Sequence, residues 1–310
     1  MAIRLPWRHV PWRAWLVPVL GLSCSCLAAA AAGDRPDPTY RTNVAEVRIS
    51  FSATDQNNHG VATLAAGDFA VVDQDIVVRD FRSFARSGWT KLDVAILVDA
   101  SESVAPRFRR EMANSLDLIS GTAGVPQEHL SLFSFSGLQP TLVCAGECRS
   151  PDGERLAPTR TGGLTPLYDA VAFASDYLGQ HGDPDAEKVL ILFSDGEDTI
   201  SRNSLNNAIQ AALAADVHID SIGLSDSDSS RGAVILQTLA SATGGRYFPL
   251  RDGARRALDA ILEDFHASYT ISYRLPSRTS GFHALRILPT HNQNLQFRTR
   301  SGYFYPNQMR

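Results

Sequence analysis

Short apolar runs, each followed by a segment with helical periodicity, constrain the fold of this chain most strongly. The runs are LDVAILV at 92–98, LSLFSF at 130–135 and VLILF at 189–193, and a fourth strand is predicted at 217–224. Nearly continuous apolar runs indicate strands that are buried on both faces of a sheet. Helices are predicted at 107–120, 166–178, 205–215, 234–242 and 255–266. This alternation predicts an α/β fold with a doubly wound, mostly parallel sheet and helices on both faces.

Two β-rich pieces flank the alternating region. On the amino-terminal side, alternation of apolar and polar residues predicts strands at 44–52, 69–72 and 76–81. On the carboxyl-terminal side, the same pattern predicts strands at 269–275, 282–288 and 295–300. Neither piece is long enough to bury a large core of its own. We therefore expect one small β-sandwich formed by both pieces, with the α/β domain inserted between them.

The amino terminus has the composition of a secretory signal. Three arginines precede an apolar run from Ala14 to Ala32, which closes with small residues. This order of a basic segment, an apolar segment and small residues predicts a signal peptide. We therefore expect export to the periplasm or beyond the cell, and a mature chain without a transmembrane segment. Two alternatives remain open: a leader retained as a membrane anchor, and a lipid anchor at Cys24, where Leu22-Ser23-Cys24 faintly resembles a lipoprotein box.

These patterns divide the chain into five predicted segments. They are a signal peptide at 1–32, a linker at 33–42, an amino-terminal β segment at 43–90, the α/β domain at 91–266 and a carboxyl-terminal β segment at 267–310. Outside the leader the chain has 26 basic and 33 acidic residues. A mildly acidic chain without a basic stripe is a poor candidate for nucleic-acid binding.

Two cysteines remain outside the leader. Cys144 and Cys148 lie in the segment CAGEC. An exported protein can keep a disulfide, and the three residues between the cysteines allow the chain to bend. A metal site would require two further ligands, and no histidine lies close in the sequence. We therefore predict a structural disulfide.

Polar residues follow the buried strands at the positions where ligands bind in doubly wound folds. Asp99, Ser101 and Ser103 follow the first strand, and Asp195 follows the strand VLILF. Thr165 stands where a loop meets a helix. The carboxyl ends of parallel strands share one edge of the sheet, so these side chains are expected to meet there.

The five residues together predict a metal site. Two carboxylates and three hydroxyls form an all-oxygen set, which suits Mg²⁺, and also Mn²⁺ or Ca²⁺, better than zinc or copper. Because few ligands are charged, the ion stays electropositive, and a carboxylate of a partner can replace one coordinating water. Each residue alone has an ordinary explanation as a loop or helix cap. Only their joint occurrence supports the metal site.

The order and spacing of these residues resemble the metal-ion-dependent adhesion site (MIDAS) of von Willebrand factor type A domains. The matching pieces are DASES at 99–103, GGLTPLYDAV at 162–171 and LFSDGEDT at 192–199, within a region from Lys91 to His266. The resemblance implies that Ser101, Ser103 and Thr165 contact the metal through their hydroxyls. It implies that Asp99 and Asp195 hold coordinating waters or bind directly, and that an Asp or Glu of a protein ligand completes the coordination.

The flanking pieces at 44–81 and 281–304 resemble the amino- and carboxyl-terminal regions of secreted bacterial VWFA-related proteins, often seen in Acidobacteria. The resemblance implies a non-enzymatic binding module of the adhesion type. A structural subunit of an envelope complex is one alternative. A Mg²⁺-dependent phosphohydrolase of the haloacid dehalogenase kind is another, but it requires a second Asp where Ser101 stands and a lysine near the phosphate. Lys188, the only lysine after Lys91, begins a strand at the opposite end.

Overall fold

The computed structural model describes residues 45–305 except 58, 62, 88–90, 102–128, 147, 149–163, 225–226 and 292–293. The predicted signal peptide (1–32), the linker (33–42) and the helix predicted at 107–120 lie outside the described residues. The segment boundaries predicted from the sequence stay predictions. None of the described helices is long and apolar enough to cross a membrane.

The described chain has strands in its flanks and alternating strands and helices in its middle. The strands are β1 (Glu46–Thr54), β2 (Phe69–Asp73), β3 (Ile76–Val78), β4 (Ser83–Arg86), β5 (Leu92–Asp99), β6 (Leu130–Ser136), β7 (Gln139–Ala145), β8 (Glu187–Ser194), β9 (Val217–Gly223), β10 (Tyr247–Pro249), β11 (Tyr269–Arg274), β12 (Gly281–Pro289), β13 (Gln296–Thr299) and β14 (Gly302–Tyr305). The α-helices are α1 (Leu167–His181), α2 (Leu205–Ala214), α3 (Arg231–Thr243) and α4 (Ala254–His266).

The central sheet has the strand order β10-β9-β8-β5-β6-β7. All neighbouring strands are parallel except β6 and β7, which are antiparallel. Ile96 and Leu97 of the central strand β5 point to opposite faces, and both are completely buried. Burial of a side chain of this size contributes about 1.5–3 kcal/mol. The α/β fold class predicted from the sequence is confirmed.

The described helices lie on both faces of this sheet. Apolar residues of α1, α2 and α3 pack on the face that contains Leu97. Residues of α4, among them Leu258 and Ile261, pack on the face that contains Ile96. Cys148 belongs to this second core and is joined by a disulfide to Cys144 at the end of β7.

The flanking pieces form two antiparallel sheets with one shared core. Their strand orders are β13-β1-β11-β4 and β14-β12-β2-β3. The amino-terminal strand β1 lies between the carboxyl-terminal strands β11 and β13, and β2 pairs with β12. Phe51, Phe69 and Tyr273 are among the largest side chains buried between the sheets. The sandwich therefore combines strands from both ends of the chain, as the sequence predicts.

Charged groups connect the sandwich to the α/β domain. The guanidinium of Arg298 on β13 donates to Asp264 of α4 over 2.7 Å, and Arg246 donates to the same carboxylate over 3.1 Å. Arg300 forms an ion pair with Asp216. These contacts fix the sandwich against the side of the domain formed by α4 and the turn before β9.

Asp220 on β9 lies at this junction and is almost completely buried. Its carboxylate accepts a hydrogen bond from the backbone N–H of Arg246 over 2.7 Å. Burial raises the pKa of the Asp220 carboxyl to about 6. The backbone hydrogen bond opposes the rise, and the carboxylate of Asp264 reinforces it.

Replacing Asp220 with asparagine is expected to flatten the dependence of stability on pH. The folded state binds the proton of Asp220 more tightly than the unfolded state, where the pKa is close to 3.8. The stabilisation that comes from protonated Asp220 is therefore complete below about pH 4 and is lost as the pH rises through about 6. The free energy of unfolding changes by roughly 3 kcal/mol over this range. Urea unfolding of both proteins across this range measures the difference. Parallel curves for the two proteins would contradict the assignment.

Candidate functional site

Asp99 is the last residue of β5, at the carboxyl edge of the sheet. Parallel pairing places it opposite Phe135 of β6, and the next N–H, of Ala100, donates to the carbonyl of Phe135 over 3.0 Å. The Asp99 side chain is completely buried. Its Oδ1 accepts a hydrogen bond from the N–H of Ser101 over 2.9 Å, and its Oδ2 accepts one from the hydroxyl of Ser194, also over 2.9 Å.

The Asp99 carboxylate has an unfavourable electrostatic environment. Burial raises its pKa to about 6, hydrogen bonds from Ser101 and Ser194 oppose the rise, and the carboxylate of Asp195 reinforces it. Among the described residues, no Lys, Arg or His forms an ion pair with Asp99. A positive charge beside the two carboxylates would lower the pKa again.

Asp195 directly follows β8 and is brought to the same edge by the parallel pairing of β8 with β5. Its side chain is partly exposed, and its Oδ1 accepts a hydrogen bond from the N–H of Glu197 over 3.0 Å. Ser194, which precedes it, links the two strands, because its hydroxyl donates to Asp99 and accepts from the N–H of Gly196 over 3.0 Å. The structure therefore places both predicted carboxylates at one edge.

Backbone contact with α3 fixes the loop that carries Asp195. Gly196 has a φ of +81°, in the left-handed region that favours glycine. A Cβ on Gly196 would lie 2.2 Å from the carbonyl oxygen of Gly232 in the first turn of α3. A Cβ on Gly232 would lie 2.0 Å from the carbonyl oxygen of Asp195. Glycine at both positions lets the helix approach the loop closely.

Thr165 is buried just before α1 and is bound to the loop after β8. Its N–H donates to the hydroxyl of Thr199 over 2.7 Å, and the N–H of Thr199 donates to its carbonyl over 2.9 Å. Two hydrogen bonds therefore connect the loop that carries Thr165 to the loop that carries Asp195.

The start of α1 differs from the sequence prediction. The helix begins at Leu167 rather than at Pro166, and no side chain caps it from the N-cap position, so the predicted cap by Thr165 is absent. Instead, the N–H of Tyr168 donates to Asp198 over 3.3 Å and the N–H of Asp169 donates to Ser201 over 3.1 Å. The loop after β8 thus satisfies N–H groups that a helix leaves free at its start.

Two acidic residues near the site serve the loop structure. Asp169 accepts hydrogen bonds from the backbone N–H groups of Arg202, over 3.1 Å, and Asn203, over 2.8 Å. Burial alone would raise the pKa of Asp169, but these bonds outweigh it and the pKa is lowered. Asp198 accepts a hydrogen bond from the start of α1 and is half-buried, so it is part of the loop structure rather than a solvated charge.

The described site brings together four of the five residues that the sequence predicts. They are Asp99, Ser101, Thr165 and Asp195; Ser103 lies outside the described residues. Sequence analysis missed Ser194 and Thr199, which position these groups. The signal for Ser194 was a serine at the end of a strand, directly after five buried apolar residues at 189–193.

The chemistry of these donors fits a hard divalent cation. All are oxygens, and Asp99 and Asp195 supply negative charge without a basic partner among the described residues. No three His, Cys, Asp or Glu side chains in the described part of the chain form a group that would hold a metal. The predicted set has only two such residues, so its hydroxyls would provide the remaining protein oxygens.

A doubly wound sheet with polar side chains at its carboxyl edge defines the class of α/β ligand-binding domains. Within that class, residues 93–263 match the family model of the von Willebrand factor type A domain, so the chain belongs to this family. The resemblance predicted from the sequence is confirmed. Domains of the family are commonly protein-interaction modules, often metal-dependent, rather than enzymes.

Several solved structures are similar at low identity. Proximal thread matrix protein 1 of the mussel byssus, described with zinc in its MIDAS motif, has 15% identity and a TM-score of 0.45 over 62% of this chain and 50% of its own. This chain thus spans about half the length of the mussel protein. A von Willebrand factor type A protein of Catenulispora acidiphila has 13% identity and a TM-score of 0.45 over 87% and 76%. BatB of Bacteroides thetaiotaomicron has 14% identity and a TM-score of 0.42 over 56% and 98%. No curated protein matches the sequence.

Replacing Gly232 with alanine is expected to displace the Asp195 loop and lower the free energy of unfolding by about 1–3 kcal/mol. Helix propensity alone would make alanine about 1 kcal/mol more stable than glycine at this position of α3. A lower free energy of unfolding in the variant therefore reports the clash with the carbonyl of Asp195. Gly67→Ala is the control, since a Cβ there has no neighbouring atom within 4 Å. Chemical denaturation compares the three proteins, and equal stability of Gly232→Ala and wild type would contradict the close approach.

Proposed function

We propose that this protein is an exported, metal-dependent binding module that recognises an acidic group of a protein partner. Asp99, Ser101, Ser103, Thr165 and Asp195 hold Mg²⁺ at the carboxyl edge of the central sheet, and Mn²⁺ or Ca²⁺ fit the same oxygens. The observation that supports this most directly is the buried Asp99 carboxylate, which lies beside Asp195 without a basic partner among the described residues.

The residues of the site have distinct roles in this proposal. The hydroxyls of Ser101, Ser103 and Thr165 donate lone pairs to the ion without adding charge, while Asp99 and Asp195 bind it directly or through water. When bound, the ion supplies an electropositive centre with a coordination position for a carboxylate of the partner. Hydrogen bonds from Ser194 and Ser101 hold the Asp99 carboxylate in place before the ion arrives.

Features of the sequence and the family also favour binding over catalysis. Members of the family are commonly interaction modules. Phosphohydrolase chemistry would need an acidic residue at position 101, where the chain has a serine, and a lysine at this edge, whereas Lys188 is at the opposite end of β8. A structural role for the ion is the second candidate, because Thr165 and Asp195 lie on loops that contact each other.

Replacing Asp99 with asparagine is expected to abolish stabilisation by Mg²⁺ without harming the metal-free fold. Asparagine keeps an acceptor for Ser101 and removes the charge that burial and Asp195 disfavour. Mg²⁺ at a hundredfold excess over its Kd stabilises the wild type by about 2.7 kcal/mol. Thermal unfolding with Mg²⁺ and with EDTA measures both effects. Asp259→Asn, which changes an exposed carboxylate on α4, is the control that keeps the metal response.

The same variants test recognition of a partner. Wild type and Asp259→Asn, immobilised with Mg²⁺, should retain envelope proteins, and EDTA should release them. Asp99→Asn should not retain these proteins. Capture that persists after chelation and in Asp99→Asn would disprove metal-dependent binding. Loss of thermal stability on chelation, with no change in any captured protein, would favour the structural role. Turnover of an aryl phosphate with Mg²⁺ that Asp99→Asn lacks would favour the hydrolase.

Removing the hydroxyl of Ser194 is expected to weaken metal binding while leaving all five proposed ligands in place. Loss of a hydrogen bond that orients a metal-binding carboxylate lowers affinity by about 10-fold or more. Isothermal titration with Mg²⁺ compares wild type with Ser194→Ala. Ser175→Ala is the matched control, because Ser175 is a buried serine of α1 whose hydroxyl has no hydrogen-bond partner in the described part of the chain. Equal Kd values for all three proteins would rule out a positioning role for Ser194.

A further inference from the structure

Four side chains of types that can bind metals meet inside the β-sandwich, away from the carboxyl edge of the central sheet. Asp73 ends β2, Tyr273 lies on β11, His283 on β12 and Tyr303 on β14. Asp73, Tyr273 and His283 are completely buried, and Tyr303 is 8% exposed. The cluster therefore joins one strand from the amino-terminal flank to three from the carboxyl-terminal flank.

The donor atoms of the cluster are close to one another. The hydroxyls of Tyr273 and Tyr303 donate to Oδ2 of Asp73 over 2.8 and 2.7 Å. Nδ1 of His283 lies 3.2 Å from the hydroxyl of Tyr303 and 3.4 Å from Oδ1 of Asp73. Neighbouring ligands of an octahedral ion with bonds of 2.0–2.1 Å are about 2.9 Å apart. The observed spacing is thus close to that of ligands around one small cation.

Two features of the cluster remain unexplained by a purely structural role. Among the described residues, Oδ1 of Asp73 is buried and has no hydrogen-bond partner, and such an atom is costly to desolvate. Nε2 of His283 lies 2.7 Å from the carbonyl of Thr279, so it carries a proton and donates. A histidine that binds a metal usually donates its other N–H in this way, which leaves the free nitrogen, here Nδ1, facing the cluster.

We propose that Asp73, Tyr273, His283 and Tyr303 form a binding site for one ferric ion. Imidazole and anionic oxygens suit iron, and tyrosine is a known ligand of ferric centres. One carboxylate and two phenolates together neutralise Fe³⁺ completely. A divalent ion would be neutralised by the carboxylate and one phenolate, so only the trivalent ion uses both phenolates without leaving a buried net charge.

Binding exchanges protons for the metal and transfers no electron. Burial, together with the neighbouring Asp73, raises the pKa of both Tyr273 and Tyr303, so both phenols are protonated without a cation. When Fe³⁺ binds, the two phenolic protons leave to solvent, two iron–oxygen bonds replace the two O–H bonds, and the iron stays ferric. The proposed ferric site shares no residue with the oxygen-rich edge around Asp99.

The site is close to the surface on two sides. Tyr303 lines a surface cavity of about 310 Å³, together with Arg300 and Tyr305. Thr279, which holds His283 through its carbonyl, is an exposed residue of the connection between β11 and β12. Movement of this connection would break the hydrogen bond between Thr279 and His283, and the cavity beside Tyr303 offers the ion a path of entry.

The test uses the full chain and ferric nitrilotriacetate at neutral pH. Phenolate bound to Fe³⁺ gives a visible charge-transfer absorption that neither free phenol nor the chelate has. We expect one ferric ion per chain and this absorption in wild type. Tyr273→Phe and Tyr303→Phe should each reduce the intensity to about half, and the double variant should abolish it. Both changes remove only a hydroxyl and keep the aromatic packing.

Two controls keep the outcomes distinct. Tyr269→Phe removes the hydroxyl of another buried tyrosine of the same core, which donates to the carbonyl of Val61, and should keep the full absorption. Asp99→Asn should also keep it, so failure at the edge site and failure here are separable. Absence of the visible absorption in folded wild type, or its persistence in the double variant, would overturn the ferric site and leave a hydrogen-bond network only.

Discussion

Parallel pairing of β5 with β8 on one side and β6 on the other is the constraint on which the rest of the structure depends. It pairs both edges of β5 in the middle of the sheet, so the apolar side chains on both faces need helices to cover them. It also ends three strands at one edge, which brings Asp99 next to Ser194 and Asp195 although the two segments are far apart in the chain. The loop after β8 then accepts hydrogen bonds from the first N–H groups of α1, so the fold of the site depends on the fold of the sheet.

Sequence patterns predicted the elements whose burial is one-sided or complete, and failed where an element depends on distant partners. β5 and β8 were recognisable because each contains five consecutive buried apolar residues, at 94–98 and 189–193. β7 was missed because it is an edge strand with mostly exposed residues and a proline, and β14 was missed because four residues carry too little pattern. Thr165 was expected to cap α1 by a local rule, but Asp198, from a loop more than thirty residues away, binds that end.

Buried carboxylates mark three junctions of this protein. Asp99 lies where strands of the central sheet end, Asp220 lies between sheet and sandwich, and Asp73 lies where strands from both flanks meet. Each is costly to desolvate, and each is held by donors from a different segment. The strand end that carries Asp99 could be predicted from the sequence. The surroundings of Asp73 and Asp220 were not, because they form only when remote strands pair.

The position of β1 between β11 and β13 has a consequence for biosynthesis. A ribosome makes the amino-terminal strands first, but their hydrogen-bonding partners emerge only after the whole α/β domain has been synthesised. The edges of β1 therefore stay unpaired for most of translation, and unpaired strand edges invite association with other chains. The last strands to emerge, β11 to β14, therefore complete both sheets of the sandwich.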